Sequence, residues 1–167
     1  MLRYAMRIVD VDQATAKRYI SLTANNLITS NDDNALFTFE SSIARANPLF
    51  VNNSPQGGNR DDYSVSEYLV NTLTNLGDPR LNEFANEASS GSIVGMPYSI
   101  SNNEATVLQP TTSRPSDNVR SATTPHVVMS YAEVQFLLAE AYQRGLLNGN
   151  ASNAYDNGIT ASMNYWG

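Results

Sequence analysis

The chain has 167 residues, with 16 acidic and 10 basic side chains, so its formal net charge is −6. It has no cysteine and a single histidine, His126, which excludes a disulfide framework, a thiol nucleophile and a zinc site built on two histidines. The acidic balance argues against binding to nucleic acid or to an anionic membrane surface. No apolar run approaches the roughly 20 residues of a membrane span.

Neutral polar residues dominate the composition. Asparagine occurs 20 times, serine 18 times and tyrosine 9 times, whereas 16% of the residues are charged. These side chains hydrogen-bond neutral ligands, and tyrosine adds a flat face for stacking. The composition therefore suits an extracellular protein that binds carbohydrate or peptide. Because asparagine and serine also form turns, a loop-rich protein without such a ligand is the plainer alternative.

Residues 1–28 are predicted to form a pair of helices. Asp12 can cap the second helix, which runs through Ala16 and Ile20. Apolar residues of the first helix stand at helical spacing: Tyr4, Ala5, Ile8 and Val9. This helix has no cap before it and the chain ends without a polar tail, so we expect an internal segment of a longer protein.

Residues 29–125 are predicted to be irregular, with short helices and little β-structure. A short strand is expected at residues 36–39 and an exposed loop at 52–59. Ser66 can cap a helix that ends at Gly77, with Tyr68 assigned to the core. The apolar stripe of that helix is formed by Leu69, Leu73 and Leu76. Residues 89–125 show no period, and a loop of that length is usually functional or disordered.

Residues 126–167 are predicted to form a second helix pair. Ser130 can cap a helix that runs to about Arg144, and Ala151 begins its partner, which ends near Met163. The pair matches part of the tetratricopeptide pattern, in which small residues let two helices approach and aromatic residues fill the gap. The matching residues are Leu138, Ala139, Tyr142, Ala151, Tyr155 and Gly158. Gln135 and Met163 depart from it.

The segment at residues 129–142, MSYAEVQFLLAEAY, resembles the most recognisable helix of SusD/RagB-type proteins. Other segments of that family follow in the expected order. They are residues 2–16, 30–35, 47–50, 78–81 and 158–167. The resemblance covers essentially the whole chain and is strongest to the SusD-like branch.

The resemblance implies an outer-membrane lipoprotein on the surface of Bacteroidetes-type bacteria. Such a protein binds a glycan, or in some members a peptide, and delivers it to a TonB-dependent, SusC-like transporter. The implied fold is mostly α, with tetratricopeptide-like helix pairs on one side and a large loop-rich ligand side. Residues 1–167 would be a single domain, divided into 1–28, 29–125 and 126–167. The signal peptide and the lipidated cysteine are not in this chain.

Sugar rings stack on aromatic side chains, and polar side chains fix their orientation. The candidate ligand-binding residues are therefore loop aromatics, Tyr98, Tyr63 and Phe50, together with Arg60. For each aromatic residue the alternative is a side chain folded back onto the core, and for Arg60 it is a solvated charge. Trp166 is expected to pack rather than to bind ligand.

No catalytic residue, metal ligand or cofactor is assigned, and the protein is not expected to be an enzyme. Asp61 and Asp62 are adjacent, whereas glycosidase carboxylates face each other across the scissile bond. Glu133 and Glu140 are expected to be structural, with Arg144 placed for an i,i+4 ion pair. A helical-repeat adaptor that binds only a protein partner is the main alternative function, and a hydrolase is the third.

Overall fold

A computed structural model describes residues 1–58 and 60–167. Within these residues the regular structure is mostly helical, as predicted, with one two-stranded sheet. The α-helices are α1 Leu2–Arg7, α2 Gln13–Thr23, α3 Pro48–Asn53, α4 Glu67–Leu76, α5 Leu81–Phe84, α6 Asn102–Leu108, α7 Asp117–Arg120, α8 Tyr131–Gln143 and α9 Ala151–Trp166. The strands are β1 Ala35–Phe37 and β2 His126–Met129.

The chain divides into two compact units. The helical unit comprises residues 1–37 and 127–166, and the loop-rich unit comprises residues 38–126 with Gly167. No helix in the described part of the chain is both long and apolar enough to cross a membrane.

In the helical unit, α1 packs against α2 and α8 around one apolar core. The Asp12 carboxylate caps α2 by accepting the Thr15 N–H at 3.0 Å, as predicted. The fully buried core residues include Leu2, Ile20 and Val134. Tyr4, predicted on the apolar face of α1, is 72% exposed, because the buried face of this helix passes through Leu2, Ala5 and Met6 instead.

Two ion pairs and one aromatic contact involve side chains of the same helical unit. Glu133 pairs with Arg3, and Glu140 pairs with Arg144 at 2.9 Å, the predicted i,i+4 ion pair. Trp166 is half-buried and makes an edge-to-face contact with Tyr165. These contacts give both glutamates the structural role that the sequence predicted.

Helices α8 and α9 form the predicted antiparallel-type pair and pack through small residues. A Cβ atom built on Gly158 would lie 2.8 Å from Cε1 of Phe136, so glycine is what permits the close approach. Ala154 and Ala161 lie one turn on either side and are buried. The close contact of Gly158 with the Phe136 ring agrees with the physical basis of the tetratricopeptide-like pattern, in which a small residue lets two helices approach.

The loop-rich unit has a small apolar core, formed by Val65, Val70 and Ala85. As predicted, Ser66 caps α4, with its Oγ accepting the Leu69 N–H at 3.2 Å, and Gly77 ends it in the left-handed region at φ 62°. The assignment of Tyr68 to the core was wrong, since its side chain is 72% exposed. Val70 faces the core, and a residue two positions earlier lies on the opposite side of a helix.

Most of the remaining buried side chains in this unit are polar. The expected exposed loop at 52–59 was wrong at its start, because Asn53 and Ser54 are buried. Asn47 caps α3, whose first residue is Pro48, and this helix brings Asn53 inside the unit. The end of that loop, Asn59, lies outside the described residues.

Candidate functional site

The four candidate ligand residues all lie in the loop-rich unit. Tyr98 is 70% exposed and Tyr63 is 50% exposed, so both offer an aromatic face to solvent. Phe50 lies on α3, is half-buried, and packs so closely on Gly57 that a Cβ there would lie 2.5 Å from Cδ1 of its ring. Arg60 is exposed and donates from Nε to Asp62 Oδ2 at 3.1 Å.

Tyr63 belongs to a short segment, residues 61–64, whose backbone is fixed by Asn53. The Asn53 side-chain oxygen accepts the N–H of Asp62 at 3.0 Å and the N–H of Tyr63 at 3.1 Å. Asn53 is the last residue of α3 and has no exposed surface. We call residues 61–64 the Tyr63 segment.

The Tyr63 segment is also held from its other side. The Asp61 carbonyl accepts Gln109 Nε2 and Arg114 Nε, both at 2.8 Å. Arg114 Nη1 donates to Ser64 Oγ at 2.9 Å. Arg120 Nη1 binds the Asp61 carboxylate and also donates to the Asn53 carbonyl at 3.1 Å. Backbone and side-chain donors therefore fix both ends of this segment.

The two neighbouring carboxylates of the segment bind different arginines. Asp61 contacts the guanidinium groups of Arg120 and Arg114. Asp62 binds Arg60, and its pKa is lowered mainly by the hydrogen bond from that side chain. Both carboxylates thus serve as ion-pair partners, and their arrangement differs from two carboxyl groups that face each other across a bond to be cleaved.

The segment that carries Tyr98 adjoins the continuation of the Tyr63 segment. The Met96 N–H donates to the Val65 carbonyl at 2.8 Å, and the Glu67 N–H donates to the Met96 carbonyl at 2.9 Å. Each tyrosine is two residues from this backbone pairing. Ser99, next to Tyr98, has a φ of 59°, an uncommon conformation for a residue other than glycine. The pairing is parallel, so Tyr63 precedes it on one segment and Tyr98 follows it on the other.

Helix α6 borders a shallow groove that was not predicted from the sequence. The groove has a volume of about 380 Å³ and is lined by Ile100, Asn103, Glu104, Val107 and Leu108. Val107 is 75% exposed. The helix begins with a capping box, Ser101 to Glu104, and the spacing of serine and glutamate three residues apart was the available signal.

A second groove, of about 510 Å³, lies in the helical unit between α8 and α9. Phe136 and Tyr155 meet there with ring centroids 5.6 Å apart and planes at 65°. Their side chains are 38% and 55% exposed.

Among residues 1–58 and 60–167, no three histidine, cysteine, aspartate or glutamate side chains are grouped as a metal site would need. His126 is the exposed first residue of β2. The exposed side chains of Tyr63 and Tyr98 offer aromatic stacking and hydrogen bonding.

The family model for SusD-like proteins, described as starch-binding and associating with the outer membrane, matches residues 1–167. No curated protein matches the chain. The comparison with solved structures finds proteins whose fold matches nearly the whole of this chain.

A chitin-binding SusD homologue from Flavobacterium johnsoniae has a TM-score of 0.80 and 26% identity, over 98% of this chain and 33% of that one. A SusD homologue from Bacteroides thetaiotaomicron has a TM-score of 0.79 and 26% identity, over 99% of this chain and 34% of that one. A chitin-binding protein has 30% identity and a TM-score of 0.76, over 96% of this chain and 37% of that one. The chain thus spans about a third of the length of these similar proteins.

Proposed function

The chain belongs to the SusD-like family, and from that premise we propose that it binds a neutral glycan at the bacterial cell surface and does not cleave it. The observation that carries the proposal is the exposure of two loop tyrosines, Tyr63 and Tyr98, whose segments are joined by the backbone pairing of Val65 and Met96. A solvent-facing aromatic ring on a fixed backbone is the feature that a sugar-stacking site needs.

Chitin-type and starch-type oligosaccharides are the first ligands to test. Two similar structures are described as chitin-binding, and the family description names starch. Both polymers are uncharged along most or all of their length. This fits a loop-rich unit whose exposed side chains are largely neutral and polar.

Catalysis is disfavoured by the chemistry of the site. Asp61 and Asp62 are each bound by arginine, and the hydrogen bond from Arg60 lowers the pKa of Asp62. A general acid at a glycosidic bond needs the opposite shift. We expect no release of dye from chromogenic chitin or starch oligosaccharides.

We further propose that the bound glycan passes to a SusC-like, TonB-dependent transporter and that the protein is held at the outer membrane by a lipid. Both statements rest on membership of the family. The bound ligand would need to remain exchangeable, which suits a shallow, open tyrosine face better than an enclosed pocket.

Titration calorimetry of the purified protein with fully N-acetylated chitohexaose, called chitohexaose below, and with maltoheptaose tests glycan binding. We expect saturable binding of at least one sugar, and a Kd at least about tenfold higher in Tyr63→Ala and in Tyr98→Ala, because each loses an aromatic contact of about 1.5 kcal/mol or more. Tyr4→Ala is the matched control, since Tyr4 is 72% exposed but lies in the helical unit. No binding of either sugar by the wild type would contradict the proposal.

The adaptor function is the second candidate, and the groove between α8 and α9 is the observation that favours it. Its exposed Phe136 and Tyr155 resemble the apolar, aromatic contacts that protein partners bury. If neither sugar binds and the purified transporter binds with an affinity that Phe136→Ser weakens, the adaptor function replaces glycan capture.

A further inference from the structure

Asn53 is fully buried, yet it holds the backbone of an exposed aromatic residue. Its side-chain oxygen accepts two successive N–H groups, those of Asp62 and Tyr63. With no exposed surface, Asn53 cannot itself touch a ligand. We propose that Asn53 is a positioning residue for glycan capture, which sets the conformation of the Tyr63 segment before ligand arrives. This inference rests on the proposed function.

The physical reason is pre-organisation. A free loop loses conformational entropy when a ligand fixes it, and that loss weakens binding. Here the N–H of Tyr63 and that of the preceding Asp62 both donate to one buried acceptor, so the Tyr63 ring extends from a backbone that is already ordered. Without this acceptor, the two donors would turn to water or remain buried and unsatisfied.

The opposite side of the segment carries a matching anchor. Gln109 and Arg114 bind the Asp61 carbonyl, each at 2.8 Å. Beyond the segment, the Val65 N–H donates to the Ser113 carbonyl at 3.0 Å. The backbone is thus hydrogen-bonded at residues 61, 62, 63 and 65, and Asn53 supplies the contacts at residues 62 and 63.

The chemistry of Asn53 distinguishes two substitutions of similar size. Only its oxygen is used, since its Nδ2 group finds no acceptor within residues 1–58 and 60–167. Asn53→Asp keeps the side-chain acceptor. The Arg120 guanidinium lies nearby to compensate the new charge, since it donates to the backbone carbonyl of residue 53 at 3.1 Å. Asn53→Leu has nearly the same shape and accepts no hydrogen bond. The pair therefore separates the acceptor from simple filling of space.

The test measures binding and local order in the same proteins. Titration calorimetry with chitohexaose and maltoheptaose gives the Kd, and amide hydrogen exchange gives the protection of the Asp62 and Tyr63 N–H groups. We expect Asn53→Leu to raise the Kd at least about tenfold and to lower protection of both amides, whereas Asn53→Asp restores both to within about threefold of the wild type. Wild-type affinity in Asn53→Leu would overturn the inference.

Gln109→Met is the alternative variant if Asn53→Leu does not fold. Gln109 is only half-buried, so its replacement should perturb folding less. It removes the donor to the Asp61 carbonyl, and we expect a higher Kd with unchanged protection of α9. An unchanged Kd in a folded Gln109→Met would overturn the role of the anchored segment. If the wild type binds neither sugar, the proposed function is contradicted. In that case amide protection still tests Asn53, and unchanged protection in Asn53→Leu would overturn the inference.

Discussion

At the residue scale, single side chains decide where the short helices of the loop-rich unit begin. Ser101 Oγ accepts the Glu104 N–H at 3.3 Å, and the Glu104 carboxylate accepts the Ser101 N–H at 2.8 Å. The Glu104 carboxylate accepts hydrogen bonds from the Ser101 backbone N–H and from the Ser101 hydroxyl, and both lower its pKa, the backbone N–H having the largest effect. A seven-residue helix is too short to be stable by propensity alone. The cap is therefore a main support of α6.

This cap predicts a pH dependence confined to α6. The folded pKa of Glu104 lies below its ordinary value of 4.5, so the ionised carboxylate stabilises the helix above that pH. The stabilisation is lost as the pH falls through the lowered pKa. As the pH falls through this lowered pKa, we expect the amide protection factors of residues 103–108 to decrease relative to those of α9. Glu104→Gln is the matched control, because glutamine keeps the capping geometry without titrating. Equal pH dependence in both proteins would contradict the prediction.

Among single residues, the helix caps were predictable from the sequence, whereas the burial of Asn53 was not. Caps such as Asp12, Ser66 and Ser130 were predicted, because their effect acts within three residues. Asn53 was placed in an exposed loop, because its neighbours are turn formers. Its burial depends on contacts with residues 61–63 and 120, which no local pattern contains. That Tyr63, Tyr98, Phe50 and Arg60 bind ligand stays a prediction.

At the element scale, the α8–α9 pair depends on one missing side chain. Gly158 is buried in the middle of the 16-residue helix α9. Glycine usually weakens a helix by about 0.5–1 kcal/mol relative to alanine. Its presence here is explained by the Phe136 ring, which occupies the space where a larger side chain would lie. The small position in the sequence pattern was thus a correct indication of close packing.

Gly158→Leu is expected to destabilise the helical unit. A Cβ alone would lie 2.8 Å from Phe136 Cε1, and the rest of the leucine would force the two helices apart. Such overpacking costs about 1–3 kcal/mol. Asn157→Leu places the same side chain at the exposed neighbouring position and should change stability by less than about 0.5 kcal/mol. Urea unfolding followed by circular dichroism measures both, and similar midpoints for the two variants would contradict the packing argument.

Helix α4 illustrates the limit of pattern reading for a short element. Its stripe was assigned to Leu69, Leu73 and Leu76, but Leu76 is 73% exposed and Val70 is buried. A ten-residue helix against a small core buries only a narrow face. Several apolar residues then compete for that face, and tertiary contacts decide among them.

At the scale of the whole molecule, the mostly α fold was predictable because helix periodicity and capping are local. Which residues make up each unit was not predictable from local patterns, since the helical unit combines residues 1–37 with residues 127–166. Its core places Leu2 and Val134 in one cluster. The resemblance identified the family correctly. The division of residues 1–167 as a single domain stays a prediction.

The charge of the molecule predicts which glycans it excludes. The loop-rich unit holds nine acidic and five basic side chains, so four of the six excess negative charges lie in it. A polyanionic sugar approaching Tyr63 or Tyr98 meets repulsion over a Debye length of about 10 Å at 0.1 M salt. Neutral oligosaccharides do not meet this barrier. From the proposed function we therefore expect the unit to favour neutral glycans, by repelling anionic ones as well as by stacking.

Chitohexaose and hexagalacturonate, two hexasaccharides that differ in charge, test this directly. At 20 mM salt we expect hexagalacturonate to bind at least about tenfold more weakly than chitohexaose, because like charges raise its free energy near the unit. At 500 mM salt the difference should narrow, since screening removes repulsion and leaves stacking unchanged. Maltoheptaose is the control for salt effects on a neutral sugar. Tighter binding of hexagalacturonate at low salt would mean that exposed arginines such as Arg60, rather than the net charge, select the ligand.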